Sequence, residues 1–112
     1  TAIKLGLTCI PGAATPSEAF TAMAAGAHAV KVFPAEMIGS KILASWRSVI
    51  PDTLPLLPVG GIDTHNMADY WQAGAAGFGL GSALYKPGKS LGDISASALK
   101  LVWSATSLTK TM

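Results

Sequence analysis

Lys31 is the residue whose type and surroundings most clearly indicate chemistry. It lies in the middle of the apolar segment 29–33 (Ala-Val-Lys-Val-Phe), where a charged side chain must either reach water or lose its hydration. Burial disfavours the ammonium form of a lysine and makes a free amine available, which is what attack on a carbonyl carbon to form an imine requires. A lysine that extends along the strand to reach solvent is the competing interpretation, and the residue pattern alone slightly favours it.

Two glycine-containing segments could bind an anion. Gly60 and Gly61 follow a predicted strand and precede a predicted helix, and Gly81 and Ser82 have the same arrangement one unit later. Glycine lets backbone N–H groups approach an anion closely, a hydroxyl adds a donor, and a helix N-terminus favours negative charge. A tight turn explains either pair without a ligand, but two such pairs in adjacent units favour a phosphate site.

Other polar residues give weaker indications. Glu36 follows the segment of Lys31, so its carboxylate could approach the amine, but contact with a neighbouring loop, another subunit or solvent is the alternative we favour. Cys9 ends a predicted strand, where an inert buried cysteine is more common than a nucleophile. Neither His28 nor His65 has a carboxylate or cysteine at ligand spacing, so we predict no metal site and no cofactor.

Composition narrows the class of protein. The 112 residues are 50% hydrophobic and 12% charged, which is too apolar for a disordered chain. No apolar run is long enough to cross a membrane, and the formal charge of +2 is scattered, so we predict neither a membrane nor a nucleic-acid partner. One cysteine allows no intrachain disulfide and suits a reducing compartment. We therefore expect a soluble cytoplasmic protein.

Four repeats of a strand followed by a helix must position the candidate residues. Strands are predicted at residues 5–10, 29–33, 54–59 and 77–82, with a turn at 11–12. Helices are predicted at 16–25, from about 40 to 50, from 63 or 64 to 73, and from about 90 to 108. Thr15 to Glu18 forms a capping box before the first helix and Gly26 ends it. Three tryptophans fall within predicted helices and are expected to be packing residues, namely Trp46, Trp71 and Trp103.

The alternation of strands and helices predicts an α/β fold with a parallel sheet. A period of roughly 25 residues matches the unit of a (β/α)₈ TIM barrel, of which four units are half. A small doubly wound sheet is the main alternative. In a barrel strand alternate residues point inward, so Lys31 would face the lumen while Val30 and Val32 face the helices.

Three motifs together resemble one enzyme family. They are Val-Lys-Val-Phe-Pro-Ala-Glu at residues 30–36, Pro-Gly-Ala-Ala-Thr-Pro-Ser-Glu at 11–18, and Pro-Val-Gly-Gly-Ile at 58–62. In this order they resemble the 2-keto-3-deoxy-6-phosphogluconate/galactonate aldolases over essentially the whole chain. The resemblance implies that residues 1–112 are the C-terminal half of a single TIM-barrel domain, containing its strands 5–8.

The resemblance also implies a mechanism. Lys31 would form an imine with the keto group of a phosphorylated keto-sugar acid, and cleavage of the C3–C4 bond would release pyruvate and glyceraldehyde 3-phosphate. Phe33 would help to wall the pyruvate pocket. The substrate phosphate would be held by Gly60, Gly61, Gly81 and Ser82.

Val59 distinguishes the two branches of the family, because the gluconate enzymes carry threonine before the paired glycines and the galactonate enzymes carry valine. A hydroxyl at this position could bond the C4 oxygen in one configuration, and valine offers none. We therefore expect the galactonate branch, with the gluconate branch as the alternative.

The family's general acid/base glutamate and a substrate-binding arginine lie on early strands that have no counterpart in this chain. We therefore expect this chain alone to be inactive. The resemblance also implies that the full-length protein is a homotrimer. A non-aldolase phosphate-binding barrel and a non-enzymatic binding module remain as alternatives.

Overall fold

A computed structural model describes residues 1–110, in which a three-stranded parallel sheet forms the centre. The strands are β1 (Gly12–Ala13), β2 (Val30–Val32) and β3 (Leu56–Pro58), paired in the order β1-β2-β3. An isolated parallel bridge between Val59 and Gly79 brings the chain after the third repeat alongside β3. Each strand therefore lies beside the next one in the sequence, as in a barrel.

The described part of the chain has four helices, of which three each follow a strand and the last follows the bridge at Gly79. They are α1 (Pro16–Ala24), α2 (Ala35–Val49), α3 (Met67–Gln72) and α4 (Leu91–Lys110). A doubly wound sheet contains a point where the strand order reverses, and the order within residues 1–110 contains none. The predicted α/β fold with parallel strands is confirmed. The strand order favours the predicted barrel over the doubly wound sheet.

The first helix begins and ends as the sequence predicts. The hydroxyl of Thr15 accepts a hydrogen bond from the N–H of Glu18 at 3.2 Å, and the Glu18 carboxylate accepts from the N–H of Ala14 at 3.2 Å. Gly26, just beyond the C-terminus, has a φ of 94°. The capping box and the glycine stop are both confirmed.

The predicted first strand at residues 5–10 is wrong. Residues 2–6 form a turn in which the N–H of Leu7 donates to the carbonyl of Ala2 at 3.0 Å, and Gly6 has a φ of 75°. The strand forms instead at Gly12–Ala13, where a turn was predicted. Gly6, with its positive φ, reverses the direction of the chain, so only residues after Gly6 reach β2.

Three other boundaries differ from the prediction. The second helix begins at Ala35, earlier than predicted. A short helical piece from Ala35 is joined to the rest of α2 across a kink at Gly39, whose φ is 78°. The third helix begins at Met67 rather than at 63 or 64, because the Asp63 carboxylate binds the N–H groups of two following residues in a loop. The predicted fourth strand at 77–82 pairs at Gly79 alone among the described residues.

The hydrophobic core lies between the sheet and the helices. Of the predicted packing tryptophans, Trp46 is buried and Trp71 is half-buried, with its ring 6.5 Å from that of Phe78. The expectation for Trp103 is wrong, because its side chain is 73% exposed on the outer side of α4. None of the helices within residues 1–110 has the length and apolar character needed to cross a membrane.

Candidate active site

Lys31 lies on the face of the sheet opposite the core. Val30 and Val32 are 0% and 1% exposed and belong to the core, so the residue between them points to the other side of the pleated strand. Lys31 pairs in register with Gly12 and with Leu57, which therefore share its side. We call this side the inner face, and it gives Lys31 the orientation that the alternation predicts.

The Lys31 side chain is half-buried and lies over an aromatic ring. Its Nζ is 5.2 Å from the ring centroid of Phe33, within the range of a cation–π contact. A Cβ added at Gly12 would stand 3.1 Å from Cε of Lys31, so glycine on the neighbouring strand leaves room for the lysine stem. Within the described residues Nζ has no hydrogen bond or ion pair. The amine is therefore available to a ligand on the inner face.

Small residues flank the large ones across the inner face. A Cβ added at Gly77 would stand 3.3 Å from the Leu57 side chain, and a Cβ added at Gly79 would overlap the side chain of Val59. Large side chains beside glycines on the adjacent strand fill an interior layer without clashes, as barrel interiors require.

Ala35 joins the loop after β2 to the end of β3 and to α3. Its N–H donates to the carbonyl of Val59 at 2.9 Å, and its carbonyl accepts from the hydroxyl of Tyr70 at 2.9 Å. Burial, followed by the carboxylates of Glu36 and Asp69, raises the pKa of the Tyr70 hydroxyl, so it remains a donor at neutral pH. Sequence reasoning missed Tyr70, because nothing in the sequence pairs it with a residue 35 positions away.

The glycine pair lies next to Phe33. Gly60 and Gly61 have φ values of 111° and 70°, which other residues rarely adopt. A Cβ at Gly60 would stand 3.5 Å from Cδ2 of Phe33. The N–H groups of Gly61 and Ile62 donate to no acceptor within residues 1–110. The structure thus brings Lys31, Phe33 and the glycine pair into one continuous surface.

Gly81 and Ser82 are exposed and less directly connected to this surface. The Gly81 carbonyl accepts from the N–H groups of Leu84 and Tyr85 at 2.9 and 3.0 Å, which makes a single turn. Helix α4 begins at Leu91, close to its predicted start, so residues 83–90 separate Ser82 from the helix and the pair does not lie at its N-terminus. Their connection to the glycine pair runs through the nearby Val59–Gly79 bridge.

Glu36 contacts the glycine pair. A Cβ added at Gly61 would stand 2.6 Å from Oε2 of Glu36, and one at Gly60 would stand 3.3 Å from Oε1. No ion pair joins Glu36 to Lys31 in the part of the chain that the structure describes. Of the two sequence interpretations of Glu36, contact with a neighbouring loop is therefore the one observed.

Cys9 and His28 are joined by two hydrogen bonds, one to the imidazole of His28 and one between their backbones. The N–H of Cys9 donates to Nδ1 of His28 at 2.9 Å, and the N–H of His28 donates to the carbonyl of Cys9 at 3.0 Å. This pair holds the segment before β1 against β2. No group of three or more His, Cys, Asp or Glu side chains among residues 1–110 is placed to hold a metal ion.

Comparison with known proteins gives consistent similarities. Residues 1–96 match the family model described as KDPG and KHG aldolase. The chain is 47% identical over 89 residues to a probable 2-dehydro-3-deoxy-6-phosphogalactonate aldolase of Rhizobium meliloti (strain 1021), covering 80% of this chain and 42% of the relative. It is 43% identical over 90 residues to the 2-dehydro-3-deoxy-6-phosphogalactonate aldolase of Escherichia coli (strain K12), covering 80% and 44%.

A solved structure described as native KDPGal superposes on 97% of this chain and 53% of its own, with a TM-score of 0.94 and 38% identity. The chain thus spans less than half the length of the curated relatives it matches, and about half of the solved chain. Three strand–helix units, followed by the bridge at Gly79 and by α4, correspond in this arrangement to half of a TIM barrel.

Proposed function

This chain belongs to the KDPG and KHG aldolase family, and from that membership we propose that it supplies the imine-forming half of a class I aldolase. The proposed reaction is cleavage of 2-dehydro-3-deoxy-6-phosphogalactonate to pyruvate and D-glyceraldehyde 3-phosphate. The observation that carries this proposal is the position of Lys31, whose amine lies on the inner face beside Phe33 and without a protein partner in residues 1–110.

In the proposed mechanism the Lys31 amine attacks the C2 carbonyl of the substrate, and the carbinolamine loses water to form an imine. The protonated imine nitrogen accepts the electron pair of the C3–C4 bond as that bond breaks. The C4 hydroxyl loses its proton and becomes the aldehyde of glyceraldehyde 3-phosphate. The remaining enamine takes up a proton at C3, and hydrolysis of the imine releases pyruvate and restores the lysine.

Phe33 is proposed to wall the pyruvate pocket, since its ring adjoins both Nζ of Lys31 and the glycine pair. The proposed phosphate site combines Gly60, Gly61, Gly81 and Ser82. The N–H groups of Gly61 and Ile62, which have no acceptor within residues 1–110, support it, because unpaired backbone amides are suitable donors for an anion.

We propose the galactonate epimer as substrate on two grounds. Val59 on the inner face has no hydroxyl to offer the C4 oxygen. Both curated relatives described above are named for the galactonate substrate. The 2-keto-3-deoxy-6-phosphogluconate epimer is the alternative. Val59→Thr tests the choice in the chain joined to the first four strand–helix units, where a gain of activity toward that epimer is expected.

We further propose that residues 1–112 are the C-terminal half of one barrel domain, with strands 5–8, and that the whole protein is a homotrimer. In this proposal the general acid/base belongs to the first four units, which would fall in the part of the relatives that this chain does not match.

Trapping with sodium borohydride in the presence of pyruvate tests the lysine assignment. Reduction of the imine fixes pyruvate to the reactive amine, and peptide mass spectrometry locates it. We expect the adduct on Lys31 in the 112-residue chain, and its loss in Lys31→Met but not in Lys41→Met, which removes an exposed lysine of α2. An adduct confined to other lysines, or no adduct, would refute the assignment and favour a phosphate-binding barrel without aldolase chemistry.

Turnover is a separate test. We expect no steady-state cleavage by the chain alone, and cleavage when the first four strand–helix units of the Escherichia coli relative are joined ahead of Thr1. Full turnover by the 112-residue chain alone would contradict the placement of the general acid/base.

A further inference from the structure

The contact between Glu36 and the glycine pair places a negative charge beside the proposed phosphate site. Oε1 and Oε2 of Glu36 lie 3.3 and 2.6 Å from the positions that Cβ atoms of Gly60 and Gly61 would occupy. No side chain can lie between the carboxylate and this backbone, because both residues are glycines. The Glu36 side chain is also exposed, so a ligand arriving from solvent would meet it.

The backbone that carries Glu36 is held in place from two directions. The peptide group of the preceding residue, Ala35, is bound at its N–H by the carbonyl of Val59 and at its carbonyl by the hydroxyl of Tyr70. Val59 directly precedes the glycine pair, so the loop carrying Glu36 and the loop carrying the glycines are joined at a fixed spacing. The carboxylate is therefore a constant part of the surroundings of the glycine pair.

We propose that Glu36 sets the affinity of the glycine pair for phosphate, by opposing a second negative charge there. This inference rests on the proposed phosphate site. The free N–H groups of Gly61 and Ile62 attract an anion, while the carboxylate a few ångströms away repels it. Because the repulsion by the carboxylate offsets part of the attraction by the N–H groups, the phosphate is bound weakly. Weak binding favours release of a phosphorylated product after the carbon–carbon bond has broken.

Titration of the ¹⁵N-labelled chain with inorganic phosphate tests the proposal, with amide shifts of residues 60–62 as the readout. Glu36→Gln removes the charge and keeps the shape of the side chain. Its matched control is Glu18→Gln, which removes the same charge from another exposed first-turn glutamate and retains a capping box, since glutamine also serves at that position. Both variants change the net charge equally, so they differ in the location of the removed charge.

We expect Glu36→Gln to bind inorganic phosphate about fivefold more tightly than the natural chain, as the removal of one charge at close range implies. The advantage should shrink as salt is raised, because exposed charges are screened, whereas a change in loop structure would not depend on salt in this way. Glu18→Gln should bind like the natural chain.

Equal affinity of Glu36→Gln and the natural chain would overturn this proposal and leave the phosphate site standing. Equal gains in both glutamine variants would also overturn it, because net charge and not position would then explain the result. If phosphate shifts none of residues 60–62 in any chain, the phosphate site itself fails, while trapping of pyruvate at Lys31 is a separate measurement that can still succeed.

Discussion

Val59 and Gly79 face each other across a parallel bridge, and the valine side chain occupies the space that a Cβ at position 79 would need. The N–H of Gly79 donates to the carbonyl of Pro58 at 3.0 Å, so the two backbones are in direct contact. This pair attaches the segment of Gly81 and Ser82 to the end of β3. The choice of valine at position 59 therefore depends on glycine at position 79.

Gly79→Ala is expected to lower the free energy of unfolding by about 1–3 kcal/mol, because the added methyl group overpacks the contact with Val59. Combined with Val59→Ala, which removes the clashing methyl groups, the cost should be smaller than the sum of the two single changes. Urea unfolding of all three variants measures this coupling. Gly81→Ala is the matched control, because a Cβ there meets nothing within 4 Å. Equal losses from Gly79→Ala and Gly81→Ala would contradict the prediction.

Tyr70→Phe removes one buried hydroxyl and leaves the shape of the side chain unchanged. The Ala35 carbonyl loses its partner, so we expect a loss of about 1–2 kcal/mol in the free energy of unfolding. Tyr85→Phe removes a hydroxyl from a side chain that is 57% exposed and should have little effect. Thermal unfolding compares the two, and a similar loss in both would argue against a specific role for the Tyr70 hydroxyl.

The raised pKa of Tyr70 predicts how stability depends on alkaline pH. The folded chain holds the Tyr70 proton to a higher pH than the unfolded chain does. In the unfolded chain tyrosine titrates at about pH 10. The stabilisation from this hydroxyl is therefore complete below that pH and declines as pH rises further. The stability difference between the natural chain and Tyr70→Phe should be constant up to about pH 10 and narrow above it. A difference that widens with pH would show the opposite sign of shift.

Arg47 is expected to stabilise the connection between α2 and β3 through its hydrogen bonds more than through its ion pair. Its Nη2 donates to the carbonyls of Ile50, Pro51 and Leu54, whereas its partner Asp52 has a side chain that is 98% exposed. Arg47→Met should cost about 2–3 kcal/mol of unfolding free energy, since charged donors to carbonyls are the stronger kind. Asp52→Asn should cost less than about 0.5 kcal/mol. Chemical denaturation measures both, and the reverse order would refute this assignment.

The parts of the structure that sequence predicted are those fixed by local physics. Two valines on either side of Lys31 determine its orientation, because side chains alternate along a strand whatever the strand packs against. The capping box of α1 depends on residues three positions apart. The parallel order of strands follows from the alternation of elements and the length of each repeat.

The parts that sequence did not predict depend on contacts between distant residues. The hydrogen bond from Tyr70 to Ala35 joins residues on different repeats. A contact of Glu36 with a neighbouring loop was expected, but the sequence did not identify Gly61 as the residue contacted. Trp103 lies on an apolar stripe of α4 that looks like a packing face, although it is exposed in this chain. Residue spacing carries no information about such partners.

Lys31 lies in β2 and Phe33 directly follows that strand, so their spacing is set by extended backbone, which rises about 3.3 Å per residue. The glycine pair, in contrast, belongs to a loop. Under the proposed function, the residues that bind the substrate carbonyl and those that bind its phosphate thus belong to separable parts of the polypeptide. Exchanging the loop at 60–66 offers a route to retargeting such an enzyme toward a different terminal group, with the amine and its aromatic neighbour left at their native separation.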